Sequence, residues 1–219
     1  MSGVFEIASI VLRYPDDAVL AGREEVAREA EALPDSEATA ALRRVTAWWA
    51  ALADADLRRE YSATFDLSRR TPLDLTYLTH GDRRQRGMAL LELRQRYLAL
   101  GFEPPADELP DHLPALLELA SEDPEGGAAI LVDYRPILEL LRLALARSAS
   151  PWADALTAVV ATLPALTDGE RDMVLRLAKE GPPTEAVGLE PFAPPESMPP
   201  PRRSTRAPAC AGTAIGGDR

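Results

Sequence analysis

Leu131-Val-Asp-Tyr134-Arg-Pro136-Ile-Leu138-Glu-Leu-Leu141-Arg-Leu-Ala-Leu145 decides the fold. Leu131, Tyr134, Leu138, Leu141 and Leu145 recur at spacings of three and four, which lines them up as one stripe on a helix. Pro136 is expected to kink that helix or to begin a second segment. Downstream, Ser150-Pro151-Trp152 has the form of an N-cap, a proline at the first helical position and an apolar anchor. Trp152, Leu156, Val159 and Leu163 continue the apolar face. Upstream, Asp82 followed three residues later by Gln85 has capping-box character. It opens a helix through Met88, Leu91 and Leu98 that stops at Gly101. The pattern predicts further helices over roughly 4–13, 17–32, 37–52, 55–66, 111–121 and 168–180. Leu73-Asp-Leu-Thr-Tyr77 alternates with period two, but it has no turn-linked partner, and an isolated strand is not stable. The expected fold is all-α, a single multi-helix bundle.

Working outward, the chain divides into a helical body, residues 1–181, and a Pro-rich tail, 182–219. The tail carries Pro182-Pro183, Pro194-Pro195, Pro199-Pro200-Pro201 and Pro208 with little apolar to bury, so it is expected to be disordered. The 219 residues hold 24 Lys and Arg against 35 Asp and Glu, a net charge of −11. That balance argues against general nucleic-acid binding and against an anionic membrane surface. Hydrophobic residues make up 46% and aromatics only 5%, so Leu and Ala supply the apolar mass and favour helix over strand. No leader and no apolar window long enough for a bilayer span is visible, and the expected location is the cytoplasm.

The charge is unevenly spread. Residues 69–96 hold Arg69, Arg70, Arg83, Arg84, Arg86, Arg94 and Arg96 against three carboxylates. Residues 97–134 hold nine carboxylates and no Lys or Arg. Such a run is usually a solvated face; its one-sidedness also suits a surface for a cationic partner.

Signatures of catalysis are absent from the sequence. One cysteine, Cys210, and two histidines leave no thiolate zinc site, disulfide framework or His-rich centre. Lys179 follows alanine rather than a P-loop glycine, and no serine lies in a nucleophile elbow. The chain is expected not to be an enzyme, with no catalytic or metal-ligating residue to assign.

Two stretches carry more detail than a bundle needs. The first is Thr76-Tyr-Leu-Thr-His80-Gly81-Asp82-Arg-Arg-Gln-Arg86-Gly87-Met88-Ala-Leu90. Gly81 frees the backbone to turn sharply. Gly87 sits inside a helix, where it costs ~1 kcal/mol relative to Ala, which suggests close approach by a neighbouring helix or by a bound peptide. His80 either hydrogen-bonds its own turn or faces a partner. The second is Gly101-Phe-Glu-Pro-Pro105-Ala-Asp-Glu108-Leu-Pro-Asp111-His112-Leu113-Pro114, whose prolines exclude a continuous helix. Asp111 either caps the following helix, leaving a solvent-facing imidazole at His112, or belongs to a rigid acidic loop beside an apolar groove. Such a loop would suit a basic amphipathic segment.

At these stretches the chain resembles the molybdenum-cofactor assembly chaperones of respiratory nitrate reductase, the delta-subunit or NarJ-type family. The motifs are Tyr14-Pro15, Tyr61-x-x-x-Phe65-Asp66, Thr79-His80-Gly81-Asp82-x-Arg84-x-Arg86-Gly87-Met88-Ala89-Leu90 and Glu108-Leu109-Pro110-Asp111-His112-Leu113-Pro114. The resemblance implies a non-catalytic cytoplasmic protein that binds the N-terminal segment of the catalytic (alpha) subunit, within the alpha–beta complex. It would keep that client competent for insertion of molybdopterin cofactor and an iron–sulfur cluster before membrane assembly, holding no cofactor stably itself. Asp111 and His112 carry the implied peptide-recognition role. The other implied contacts are Phe65, Tyr77, His80, Asp82, Arg86, Gly87, Met88, Glu108 and Leu113. Asp74 departs from the family pattern, standing where an apolar or aromatic residue is expected. Nothing carries over to 182–219. Two rival readings are a helical module binding nucleic acid through Arg69–Arg96, which needs those arginines on one face, and an enzyme with a cofactor pocket in the bundle.

Overall fold

A computed structural model describes residues 2–81, 84–106 and 108–180. The expectations for Asp82 and for the tail 182–219 lie outside the described residues. In chain order the helices are α1 (Ser2–Val11), α2 (Asp17–Ala21), α3 (Arg23–Ala32), α4 (Glu37–Ala51) and α5 (Asp54–Tyr61), the last running into a π-helical turn (Ser62–Asp66). They continue as α6 (Leu75–His80), α7 (Arg84–Ala99), α8 (Leu113–Glu122), α9 (Gly126–Asp133), α10 (Arg135–Arg147), α11 (Ala153–Ala161) and α12 (Asp168–Glu180). Among the described residues no strand is formed, and the fold is an all-α bundle.

The core is assembled by α1, α4, α8, α10 and α11. α1 lies on α8 and also touches α4 and α11; α4 packs between α3 and α11, and α10 between α11 and α12. The apolar stripe of the deciding stretch is buried as expected at Leu131, Leu138, Leu141 and Leu145, with Tyr134 half-buried. Trp152, Leu156, Val159 and Leu163 are buried too. The chain breaks at Tyr134, so Pro136 falls in the first turn of α10, where its missing N–H costs nothing. At the C-terminal end of α1, Trp152 Nε1 donates to the Val11 carbonyl at 3.2 Å and Tyr61 Oη to the Leu12 carbonyl at 3.1 Å. Aromatic side chains thereby satisfy two acceptors that a helix end leaves orphaned.

Several local expectations change. The segment 17–32 is two helices divided at Gly22, with Asp16 accepting from Val19 N at 2.8 Å to cap the first. The expected helix over 55–66 widens into the π-turn, which sets Phe65 against Trp152 with ring centroids 5.1 Å apart. Ser150 does not cap α11: Trp152 occupies the N-cap position, and the Ser150 hydroxyl has no partner among the described residues. Among the described residues nothing lies within 4 Å of where a Cβ on Gly87 would sit, so no described helix approaches it. Gly127 is approached closely by backbone instead, since a Cβ there would stand 2.5 Å from Ala120 Cα, where α9 crosses α8.

Candidate functional site

The stretch Leu73-Asp-Leu owes its alternation to one antiparallel bridge with His112. Leu75 N donates to the Asp111 carbonyl at 3.1 Å and Leu113 N to the Leu73 carbonyl at 2.9 Å. Leu73 and Leu75 are buried, while Asp74 points to the opposite side, as period-two backbone requires. The bridge joins the two motif-bearing stretches and fixes how their side chains meet.

Asp111 is fully buried. Its Oδ2 accepts from Thr76 N at 2.9 Å and from Thr76 Oγ1 at 2.5 Å. The carboxylate therefore caps α6, the helix before it in the chain, across the bridge. This corrects both readings of Asp111: it neither caps α8, whose N-cap is His112 without a side-chain bond, nor is presented on an open acidic loop. Burial pushes its carboxyl above the ordinary value, with the Thr76 hydrogen bonds opposing that push. Its Oδ1 is buried without a hydrogen-bond partner among the described residues.

Asp74, a departure from the family pattern, is the hub of the site. Its Oδ1 lies 3.1 Å from His112 Nδ1, and its Oδ2 accepts from Arg86 Nη2 at 3.0 Å. The His112 hydrogen bond, aided by the charge of Arg86, holds the Asp74 carboxyl below its ordinary value against the effect of burial. Arg86 Nε also donates to Thr76 Oγ1 at 3.2 Å, and its guanidinium lies 5.6 Å from the centroid of the Tyr77 ring. Arg86, Asp74, Thr76, Asp111 and His112 thus form one network that ties the first turn of α7 to the start of α6 and to the loop before α8. An aspartate alternating with leucines opposite a downstream Asp-His was the signal available for Asp74 and Thr76; it is legible only once the bridge is known.

The remaining candidates scatter. Leu113 is buried in the first turn of α8. Phe65 belongs to the aromatic cluster with Tyr61 and Trp152, not to the network. His80 ends α6 before Gly81, whose φ of 59° makes the expected sharp turn. It lines a cavity of about 340 Å³ with Glu92, Arg96, Asp133 and Tyr134. Burial raises the Tyr134 hydroxyl to about 12. Gly87, Met88 and Glu108 are exposed. Among the described residues no group of three or more His, Cys, Asp or Glu could hold a metal, and no helix is long and apolar enough to cross a membrane.

The charge runs are also less one-sided in space than in sequence. Of the nine carboxylates, Asp111 is buried, Asp133 pairs with Arg96 at 2.7 Å and Glu118 with Arg13 at 2.9 Å. Asp123 accepts from the Gly126 amide at 2.9 Å. Of the seven arginines, Arg86 and Arg96 are turned onto carboxylates, which takes two charges from the cationic face that nucleic acid would need. An apolar cavity of about 490 Å³ does exist, but neither Asp111, His112 nor the loop 102–112 lines it. That cavity therefore does not lie beside the acidic loop.

Comparison with known proteins bears on these motifs. Residues 29–158, from α3 into α11, match the family described as nitrate reductase delta subunit. The nitrate reductase-like protein NarX of Mycobacterium tuberculosis is 36% identical over 160 residues, which is 73% of this chain and 24% of that protein. The nitrate reductase molybdenum cofactor assembly chaperone NarJ of Escherichia coli K12 is 36% identical over 154 residues, 67% of this chain and 64% of that one. The chain thus spans about a quarter of the first relative and somewhat under two thirds of the second. A crystal structure described as a putative redox enzyme maturation protein from Archaeoglobus fulgidus shares the fold, with a TM-score of 0.55 at 22% identity over 73% of this chain and 91% of that one. By its motifs and this match over more than half its length, the chain belongs to the nitrate reductase delta subunit family.

Proposed function

We propose that this protein is a dedicated assembly chaperone for a respiratory nitrate reductase, acting on the N-terminal segment of the catalytic subunit within the alpha–beta complex, in the cytoplasm and without catalysis of its own. It keeps that subunit open for insertion of molybdenum cofactor and an iron–sulfur cluster before the complex reaches its membrane anchor. The names of the relatives support the broad role. The observation that carries the finer one is α7, the helix bearing the Arg84-to-Leu90 motif, which leaves Met88, Leu91 and Leu98 exposed at 66%, 55% and 51%. These residues repeat at heptad-like spacing, the pattern that receives an amphipathic helix. The loop that follows α7 adds the exposed carboxylates of Glu103 and Glu108, which favour a client segment with basic residues at one end.

The mechanism is linkage. A chaperone with higher affinity for the open client than for the closed one shifts the client towards the open state by that difference, and is released as cofactor closes the fold. Calorimetric titration of the folded chain with a peptide of the client's N-terminus tests the reading. Binding is expected at low salt, with a loss of tenfold or more in Leu91→Glu and an unchanged melting temperature. Absence of binding to the folded wild-type chain would overturn the proposal.

A further inference from the structure

The 490 Å³ cavity lies between the π-turn, the loop after it, the α10–α11 turn and the last turns of α12. That volume is in the range of small-molecule sites. Leu78, Leu140, Ala144, Trp152 and Leu177 make its walls apolar, and among the described residues Glu60, Arg70 and Arg147 are its charged lining. Leu78 belongs to α6, but the cavity shares no residue with the Asp74–Asp111 network.

Three features separate it from a gap in packing. Ala149, on its wall, has φ of 53°. It is the left-handed residue that ends α10: Ser150 N reaches the Leu145 carbonyl at 3.0 Å and Ala149 N the Ala146 carbonyl at 3.0 Å. Glycine normally takes that position, and strained backbone of this kind concentrates at functional sites. Beside it, the Ser150 Oγ is buried with no hydrogen-bond partner among the described residues, an uncommon state for a polar atom. Opposite, Ala63 and Thr64 reach the cavity from the π-turn, a helical irregularity also found often at functional sites.

Charge selects the occupant. Two guanidinium groups against one carboxylate disfavour the cationic segment proposed for α7. Arg70 makes no ion pair among the described residues, and Arg147 makes only a 3.5 Å contact from Nη1 to the Ala178 carbonyl, which a ligand's head group can replace at little cost. We infer that this cavity binds a small amphipathic anion, an apolar tail bearing one carboxylate. The tail lies against Trp152 and the leucines, and the carboxylate meets Arg70 and Arg147. The inference is independent of client binding.

Titration of the full chain with decanoate, decylamine and decanol tests it. Decanoate is expected to bind one to one and at least tenfold more tightly than the cation of equal length, including when the client peptide is saturating. The double variant Arg70→Gln/Arg147→Gln alters two exposed side chains; it is expected to lose at least tenfold in decanoate affinity while decanol is unaffected. Ala144→Phe, which fills the cavity, is expected to abolish binding of both. No decanoate binding by the folded chain, equal affinity for decanoate and decylamine, or an unchanged affinity in the double variant would each overturn the inference. So would co-sedimentation with phosphatidylglycerol vesicles in the absence of decanoate binding. Should Ala144→Phe fail to fold, the charge variant decides.

Discussion

α7 and α8 are consecutive helices built on opposite plans. α8 has ten residues and buries seven of them, Leu113 to Leu117 with Leu119 and Ala120. α7 has sixteen and buries two, Leu93 and Tyr97, and among the described residues α6 is the one helix it meets in more than marginal contact. The difference is not one of composition, since α7 also carries Met88, Leu90, Leu91 and Leu98. α8 is held by its neighbours on several sides. α7 is held at points: Arg86 enters the Asp74–Thr76 network at one end, Leu93 and Tyr97 dock in the second half, and Arg96 reaches Asp133. Its Leu, Ala, Arg, Gln and Glu content suits a helix that stands with little packing. A long helix tethered this way can keep an apolar face free for a partner, which a helix stabilised by burial cannot do.

The largest effect is expected where α9 crosses α8. In Gly127→Ala the new methyl would meet Ala120 Cα at 2.5 Å and Ala120 N at 2.7 Å, backbone atoms that cannot rotate aside. A loss of about 3 kcal/mol in urea unfolding follows from such overpacking. A loss below about 1 kcal/mol would mean that α9 slides easily on α8, and the contrast with α7 would weaken.

Next comes the network at the base of α7. Asp111→Ala removes both hydrogen bonds to Thr76 and is expected to cost about 2 kcal/mol, read as a lower melting temperature. The pH dependences of the two aspartates have opposite signs. Asp111 holds its proton more tightly when folded, so its contribution is full at low pH and declines as pH rises from about 4 through the raised folded value. Asp74 holds its proton less tightly when folded, so its contribution is present above about 4 and is lost as pH falls through the lowered value. Relative to Asp111→Asn, the wild type is therefore expected to lose ground as pH rises. Relative to Asp74→Asn, it is expected to lose ground as pH falls. Parallel melting curves across pH for either pair would remove the network's electrostatic account.

How much of this was legible in the sequence follows from range. The stripe from Leu131 to Leu145, the stop at Gly101 with φ of 84° and the boundaries of α4 and α12 are local patterns, and local patterns survive folding. The family motifs fall where the network forms, which joins Tyr77's neighbour Thr76 to Arg86, Asp111 and His112. What periodicity could not supply is the pairing of residue 74 with residue 112, across 38 positions. Without that bridge Asp111 looks like a cap for the next helix and Asp74 like an anomaly. The run of nine carboxylates has the same limit, because a linear count cannot tell a presented charge such as Glu103 from one spent on Arg96, Arg13 or a helix amide.

The smallest effect sharpens the contrast most, because it separates stability from binding. Gly87 sits in the interior of α7 in ordinary helical conformation, with open space where a Cβ would go. Gly87→Ala is expected to stabilise the chain by about 0.5–1 kcal/mol, since alanine forgoes less entropy on helix formation and meets nothing. If glycine stands there so that a client backbone can approach α7, the same substitution lowers peptide affinity while raising the melting temperature. A rise in stability with unchanged affinity would place the client's backbone away from Gly87, and the exposed Met88–Leu91 face would then receive side chains only. A fall in stability would show that α7 is packed there after all, and the tethered-helix account would fail at its centre.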